Sequence, residues 1–156
     1  MTVIEFLTDS PYRAGAASAA TMLALVWLVS VRIKDASIVD MFWGLGYPVI
    51  AVACLLVADN NSVWTTAIGA IVILWGVRLF LHLGTRWARE GAEDYRYQKM
   101  RAYHGDKFWW RSLFTVFILQ GLLMWLVAVP YMAAFSMGGL AAAPLVSAIG
   151  LIIAAF

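Results

Sequence analysis

The chain has 156 residues, a net charge of +2, and 63% hydrophobic residues, whereas soluble domains are roughly half apolar. Charged residues make up 13% of the chain, about half the usual share in soluble domains, so composition excludes an ordinary soluble domain. The single cysteine, Cys54, excludes an internal disulfide. Two histidines and no clustered Cys/His spacing argue against a metal site.

The N-terminal residues lack the pattern of a cleaved signal peptide. Glu5 and Asp9 precede the first basic residue, Arg13, and the apolar run that follows is long. A cleaved signal has a basic start, a short apolar run and a small-residue cleavage site. We therefore expect the first apolar run to be a retained helix.

Five apolar runs are candidates for spanning helices, which need about 20 apolar residues each. The runs are continuous and do not alternate with polar residues, which disfavours spanning strands. The sequence therefore predicts an all-α polytopic membrane bundle, a single membrane domain over 1–156, with spans at 14–31, 38–58, 62–83, 112–135 and 140–156.

Basic residues are distributed unequally between the two predicted sides. Every Lys and Arg except Arg13 follows span one, lies near the end of span three, or belongs to the polar segment 84–111. Cytoplasmic loops are enriched in Lys and Arg. We therefore predict an integral membrane protein with its N-terminus outside and segment 84–111 as a cytoplasmic loop.

The last predicted span, 140–156, is short for the ~30 Å hydrocarbon core, and no polar flank follows it. We expect this chain to be the truncated, N-terminal part of a longer protein.

Span two begins with polar and aromatic residues on one helix face, because Asp40, Trp43 and Tyr47 are spaced by three and four positions. An ionisable group inside a span is costly and indicates function by default. Asp40 could face a cytoplasm-open cavity with aromatic walls. It could equally cap the helix or pair with Lys34.

Span three ends in a stripe on one helix face, spaced by three or four positions: Trp75, Arg78, His82, Arg86 and Arg89. Arginine suits bidentate recognition of phosphate, so the stripe could hold a phosphorylated cofactor. The alternative is that the arginines extend to lipid headgroups, which fits Arg86 and Arg89 better than the deeper Arg78.

Two further polar features lie beyond this stripe. Glu93 and Asp94 sit beside Arg96, with Tyr95 and Tyr97 interleaved, and either order the loop as a salt-bridge cluster or bind ribose hydroxyls or a phosphate. The acids cancel much of the basic charge, which disfavours nucleic-acid binding. Gln120 lies within span four and needs an interhelical partner or a ligand, structural pairing being favoured.

Several of these motifs occur together in one known family. The S-I-V-D-M-F-W segment, the R-L-F-L-H…R-W ending of span three, and E-D-Y-R-Y followed by F-W-W-R resemble the steroid 5-alpha-reductase-like membrane family, in its bacterial branch. The resemblance covers about 37–132. It implies a bacterial inner-membrane enzyme that uses NADPH to reduce an activated carbon–carbon double bond in a lipophilic enone.

The resemblance also implies roles for the candidate residues. Asp40 and Tyr47 would be catalytic, with Trp43 and Gln120 contacting substrate. The cofactor-binding set would be Arg78, His82, Arg86, Glu93, Asp94, Arg96 and Tyr97. The R-H-P-N-Y-like cofactor segment of the family's C-terminal half is absent, so we expect this chain to be inactive alone.

Two other functions fit the same pattern. A membrane methyltransferase of the isoprenylcysteine methyltransferase type shares the broad architecture and binds a cofactor from the cytosol. A non-enzymatic assembly subunit would use segment 84–111 to dock a partner, with Asp40 and Arg78 paired to each other or to lipid. The sequence predicts membrane lipids as neighbours in every case, and leaves the oligomeric state open.

Overall fold

The computed structural model describes residues 10–58 and 62–136, and these residues form helices with no strand among them. The all-α prediction is confirmed. In chain order the helices are α1 (Ser10–Ile33), α2 (Ile38–Val57), α3 (Val63–Glu90), α4 (Tyr95–His104), α5 (Phe108–Ser112) and α6 (Leu119–Ser136). A 3₁₀ turn, Gly105–Lys107, joins α4 to α5, and a π-helical segment, Leu113–Ile118, joins α5 to α6.

Four helical stretches in the described part are long and apolar enough to cross a membrane: Ser10–Ile33, Ile38–Val57, Val63–Glu90 and Tyr95–Ser136. They match the first four predicted spans, so a multi-span membrane bundle is supported. The fifth predicted span, 140–156, lies outside the described residues. We call the continuous helical stretch 108–136 the fourth spanning helix.

The segment 84–111, which the sequence assigns to a cytoplasmic loop, is mostly helical. Helix α3 continues to Glu90 and ends where Gly91 adopts a left-handed conformation with φ of 63°, a common helix end. The Asp94 side chain then caps α4 by accepting from the Arg96 backbone N–H. At 28 residues, α3 is about 42 Å long and exceeds the ~30 Å membrane core. The sequence prediction stopped this helix where its hydrophobicity ended.

Helices α2 and α3 pack closely at two glycines. A Cβ atom on Gly44 would clash with the Phe80 backbone nitrogen, and one on Gly76 would clash with the Pro48 ring and the Gly44 carbonyl oxygen. Small residues allow such close approach between membrane helices, where packing rather than a hydrophobic force holds helices together. This contact fixes the polar end of α3 beside the start of α2.

The core lies where α2 meets α1 and the fourth spanning helix. Its fully buried side chains include Val39, Ile50 and Cys54 from α2 and Phe117 and Met124 from the fourth spanning helix. Cys54 thus packs as a small apolar residue, and its thiol donates to the Pro11 carbonyl at 3.1 Å. Helix α2 is the central helix. Half of its apolar 18-residue stretch is buried, against 11% of the corresponding stretch of α3.

The π-helical segment Leu113–Ile118 ends two residues before Gln120. A π turn inserts an extra residue into the helical repeat and often lies at functional sites. The π-helical segment therefore affects the direction in which the Gln120 side chain projects. No sequence pattern predicted this segment.

Candidate functional site

Asp40 lies in the first turn of α2 and joins this helix to α4. Its Oδ1 accepts from the Tyr97 hydroxyl at 2.8 Å, and its Oδ2 accepts from Arg96 Nη2 at 2.9 Å. Neither a helix cap nor a pair with Lys34 accounts for Asp40, because Ser37 occupies the N-cap position and the carboxylate is bound by α4. Asp40 acts here as a hydrogen-bond acceptor.

The contacts of Asp40 continue into the membrane as a chain of side-chain hydrogen bonds. Gln120 Nε2 donates to the Tyr97 hydroxyl oxygen at 3.1 Å. Trp43 Nε1 donates to Gln120 Oε1 at 2.7 Å. Tyr97 is buried, with 5% exposure, although it lies in the polar helix α4. The structure therefore unites Asp40, Trp43, Tyr97 and Gln120, from three separate helices, in one connected network.

Arg96 lies across the mouth of this network. Its Nε and Nη2 donate to the two carboxylate oxygens of Asp94, at 3.0 and 3.2 Å, while Nη2 also reaches Asp40. The Arg96 side chain is about half exposed. Hydrogen bonds from the Arg96 side chain, and then from its backbone N–H, lower the pKa of the Asp94 carboxyl below its ordinary value. Asp94 therefore holds the Arg96 guanidinium against Asp40.

A small cavity of about 70 Å³ opens beside Asp40, between α2, α3 and the start of α4. Arg86, Trp87 and Arg96 contribute to its walls. Since a water molecule takes about 30 Å³ of liquid, this cavity has room for roughly two waters. It brings the predicted cofactor-binding residues Arg86, Asp94 and Arg96 to the same place as Asp40.

Glu93 has a different position from its neighbour Asp94. Its carboxylate accepts hydrogen bonds from Nε and Nη2 of Arg101, at 2.9 and 2.8 Å, and from the Ala36 backbone N–H, at 2.8 Å. Arg101 Nη2 also donates to the Lys34 carbonyl, at 3.0 Å. The Glu93 side chain is only 9% exposed, so these bonds fasten α4 to the α1–α2 turn. This geometry matches the loop-ordering alternative and leaves Glu93 little capacity for a ligand.

Arg101 and Asp35 are two residues of this region that the sequence interpretation did not single out. Arg101 lies eight positions after Glu93, a spacing that no helix periodicity identifies as a pair. Asp35 accepts from the Ser37 backbone N–H at 2.8 Å and from Trp87 Nε1 at 2.9 Å. An acid two residues before such an N–H is an Asx turn, so this signal was present in the sequence.

The stripe on α3 divides into two parts. Arg86 pairs with Glu90 at 2.7 Å and reaches the cavity beside Asp40. Arg78 and His82 are exposed on α3, and their side chains have no hydrogen-bond or ion-pair partner among residues 10–58 and 62–136. The structure brings Arg86 to the network but leaves Arg78 and His82 apart from it.

Tyr47 lies one turn deeper than Trp43 and belongs to an aromatic wall. Its ring centroid is 6.3 Å from that of Trp43 and 5.9 Å from that of Trp75. Tyr47 is buried, and its backbone carbonyl accepts from the Tyr131 hydroxyl at 3.3 Å. Tyr47 therefore borders the membrane side of the network without being hydrogen-bonded into it.

A family model described as "Protein of unknown function (DUF1295)" matches residues 26–156, and the chain therefore belongs to this family. Neither the curated proteins nor the solved structures that were compared with the chain gave a match.

Proposed function

We propose that this member of the DUF1295 family is a membrane reductase that uses NADPH to reduce the activated double bond of a lipophilic enone. The observation that carries the proposal is the network of Arg96, Asp40, Tyr97, Gln120 and Trp43 at the polar end of an apolar bundle. The resemblance of the same segments to steroid 5-alpha-reductase-like proteins supports it. A multi-helix membrane setting suits a lipophilic substrate.

The network supplies the groups that enone reduction requires. The reaction adds a hydride to the β carbon and a solvent proton to the α carbon, and negative charge builds on the carbonyl oxygen in between. A positioned donor at that oxygen lowers the barrier, which typically raises the rate 10²- to 10³-fold. Tyr97 is the donor best suited to this role, because its hydroxyl is an oriented donor that already gives a hydrogen bond to Asp40 Oδ1.

The remaining members would hold Tyr97 in position. Gln120 donates to the Tyr97 oxygen and so orients the hydroxyl hydrogen towards Asp40. Asp40 accepts that hydrogen, and would release it when a carbonyl oxygen becomes the better acceptor. Trp43 fixes the Gln120 amide, and with Tyr47 presents the aromatic surface on which an apolar ring system would lie. This assignment gives Tyr97 the donor role and leaves Asp40 to hold it.

The residues at the cavity fit the phosphate end of a dinucleotide. Arg86 lies at the cavity, and Arg78 and His82 follow it along the exposed face of α3, a donor set suited to phosphates. NADPH, when bound, supplies the hydride. Glu93 does not fit a cofactor role, because Arg101 and the Ala36 N–H use its carboxylate. The 70 Å³ space is too small for a nicotinamide, so Arg96 must move away from Asp40 first.

The proposal is tested by turnover in the purified full-length protein. NADPH consumption is measured with a hydrophobic enone in detergent or lipid nanodiscs, for the unchanged protein, Tyr97→Phe and Tyr95→Phe. Tyr95 is an exposed neighbour and serves as the matched control. We expect Tyr97→Phe to reduce turnover about 10²-fold or more while NADPH binding persists, and Tyr95→Phe to leave turnover unchanged.

Cofactor binding and co-purification, measured on the same protein, separate the alternatives. Binding of S-adenosylmethionine in place of NADPH would favour a methyltransferase. Absence of any bound cofactor, together with a stoichiometric protein partner, would favour an assembly subunit. Equal turnover in the two tyrosine variants would remove the network from the mechanism.

A further inference from the structure

A second cavity, of about 340 Å³, lies at the junction of four helical elements and is separate from the Asp40 network. Ser30 and Lys34 border it from the end of α1, Arg101 from α4, Asp106 from the 3₁₀ turn, and Trp109 and Ser112 from α5. At this level α1 ends, and the exposed Trp109 lies near the start of the fourth spanning helix. Tryptophan is enriched at membrane interfaces, so this cavity lies at headgroup level.

The charges around the cavity are of both signs. Lys34 is exposed, and its ammonium has no hydrogen-bond or ion-pair partner in the described residues. Arg101 is balanced by Glu93 behind it, and Asp106 contributes a carboxylate at the rim. Lys34 therefore provides one free positive charge and Asp106 one negative charge, an arrangement that suits a zwitterion better than a free anion.

The backbone at Lys34 is strained. Its φ is 59°, in the left-handed region, and it is the one non-glycine residue in the described chain with a positive φ. A lysine there costs energy that glycine or asparagine would largely avoid, and such outliers cluster at binding sites. The Arg101 bond to the Lys34 carbonyl holds this conformation and brings Lys34 to the cavity.

Two buried hydroxyls add acceptors to the cavity wall. Ser30 Oγ donates to the Trp27 carbonyl at 2.8 Å, and Ser112 Oγ donates to the Trp109 carbonyl at 2.9 Å. Each hydroxyl hydrogen is thereby used within its own helix, which leaves oxygen lone pairs able to accept from an ammonium group.

An apolar groove of about 590 Å³ follows the same seam between α1 and the fourth spanning helix. Leu23 and Ala24 line it from α1, and Leu113, Phe117 and Gly121 line it from the other side. Trp109, which borders the polar cavity, stacks against Trp27 of α1, with ring centroids 6.5 Å apart. A polar cavity above an apolar groove matches an amphipathic ligand with a charged head and a hydrocarbon chain.

From this juxtaposition we infer that the 340 Å³ cavity binds the headgroup of a zwitterionic phospholipid with a primary amine. Lys34 binds the phosphate, Asp106 and the two serine oxygens accept from the ammonium, and an acyl chain enters the apolar groove. The site is independent of the proposed reductase chemistry.

Native mass spectrometry of the purified full-length protein tests this inference. Equal amounts of phosphatidylethanolamine, phosphatidylcholine and phosphatidylglycerol with matched acyl chains are added, and retained lipid is counted. We expect phosphatidylethanolamine to be retained about fivefold over the other two, and Lys34→Asn to remove most of that retention. Asparagine tolerates the left-handed conformation, so the variant is expected to fold.

Two further variants complete the test. Asp106→Asn should abolish the preference for phosphatidylethanolamine over phosphatidylglycerol, whereas Lys107→Gln, an exposed cation outside the cavity wall, should change nothing. Equal retention of the three lipids, or a Lys34→Asn result equal to that of Lys107→Gln, would overturn the inference. Displacement of the lipid by soluble phosphoethanolamine at equal concentration would also overturn it, in favour of a soluble ligand.

Discussion

Tyr97 and Asp40 are 57 positions apart in sequence, yet the Tyr97 hydroxyl donates to Asp40 Oδ1 at 2.8 Å. The bond connects a short polar helix to the start of the central spanning helix α2. It places a hydroxyl group from outside the apolar spans at the edge of the membrane interior. The account of the site depends on this pair.

The first prediction concerns stability. Tyr97→Phe removes a hydroxyl that donates to Asp40 and accepts from Gln120, so two partly buried groups lose a partner. Because Asp40 keeps Arg96 and Gln120 keeps Trp43, we expect a loss of about 1–3 kcal/mol in total. We expect thermal unfolding in detergent to occur several degrees lower in Tyr97→Phe, and Tyr95→Phe to match the unchanged protein. An unfolding temperature for Tyr97→Phe equal to that of Tyr95→Phe would contradict the network.

The second prediction concerns the α2–α3 contact. Gly44→Ala places a methyl group against the Phe80 backbone, which cannot move as a flexible side chain could. The two helices must separate, and we expect a loss of about 1–3 kcal/mol. Gly84→Ala is the matched control in α3, since its nearest neighbour would be the Met41 sulfur at 3.7 Å, an ordinary contact. Unfolding in graded denaturing detergent compares the two, and equal stability would refute the close packing.

The third prediction concerns the tie between Glu93 and Arg101. Arg101→Lys keeps the charge but loses the paired donors and the bond to the Lys34 carbonyl. Hydrogen exchange should accelerate in α4 and in the 34–37 turn. Arg86→Lys makes the same change in an exposed i,i+4 pair with Glu90, which is worth only about 0.3–0.5 kcal/mol, and serves as the comparison. Unchanged exchange in both variants would mean that the tie does not hold α4.

The fourth prediction concerns cofactor affinity. Arg78→Ala in the full-length protein should weaken NADPH binding about tenfold or more, because a phosphate contact from a guanidinium is lost. Arg13→Ala removes another exposed arginine, from the opposite end of the bundle, and should leave affinity unchanged. Binding is followed by the quenching of tryptophan fluorescence. Equal affinity in both variants would assign Arg78 to lipid contact.

The spans and their helical character could be predicted from sequence because long apolar runs determine them. The helical structure of 84–111 could not, since Gly91 and Asp94 act through local caps within a polar stretch where periodicity gives no signal. At the site, Asp40 was singled out by its type and position, and Tyr97 by the resemblance of its segment. Their contact was not predictable, because it depends on how α4 folds back onto α2 through the Glu93–Arg101 pair. The exposure of Arg78 and His82 likewise depends on which face of α3 meets α2.

The most direct test of the central claim is the turnover of NADPH with a lipophilic enone by the full-length protein and by its Tyr97→Phe variant. The account predicts enone-dependent NADPH consumption in the unchanged protein, and at least about 10²-fold slower consumption in the variant with NADPH affinity retained. NADPH consumption that is equally fast in the variant, or no NADPH binding by the folded full-length protein, would contradict it.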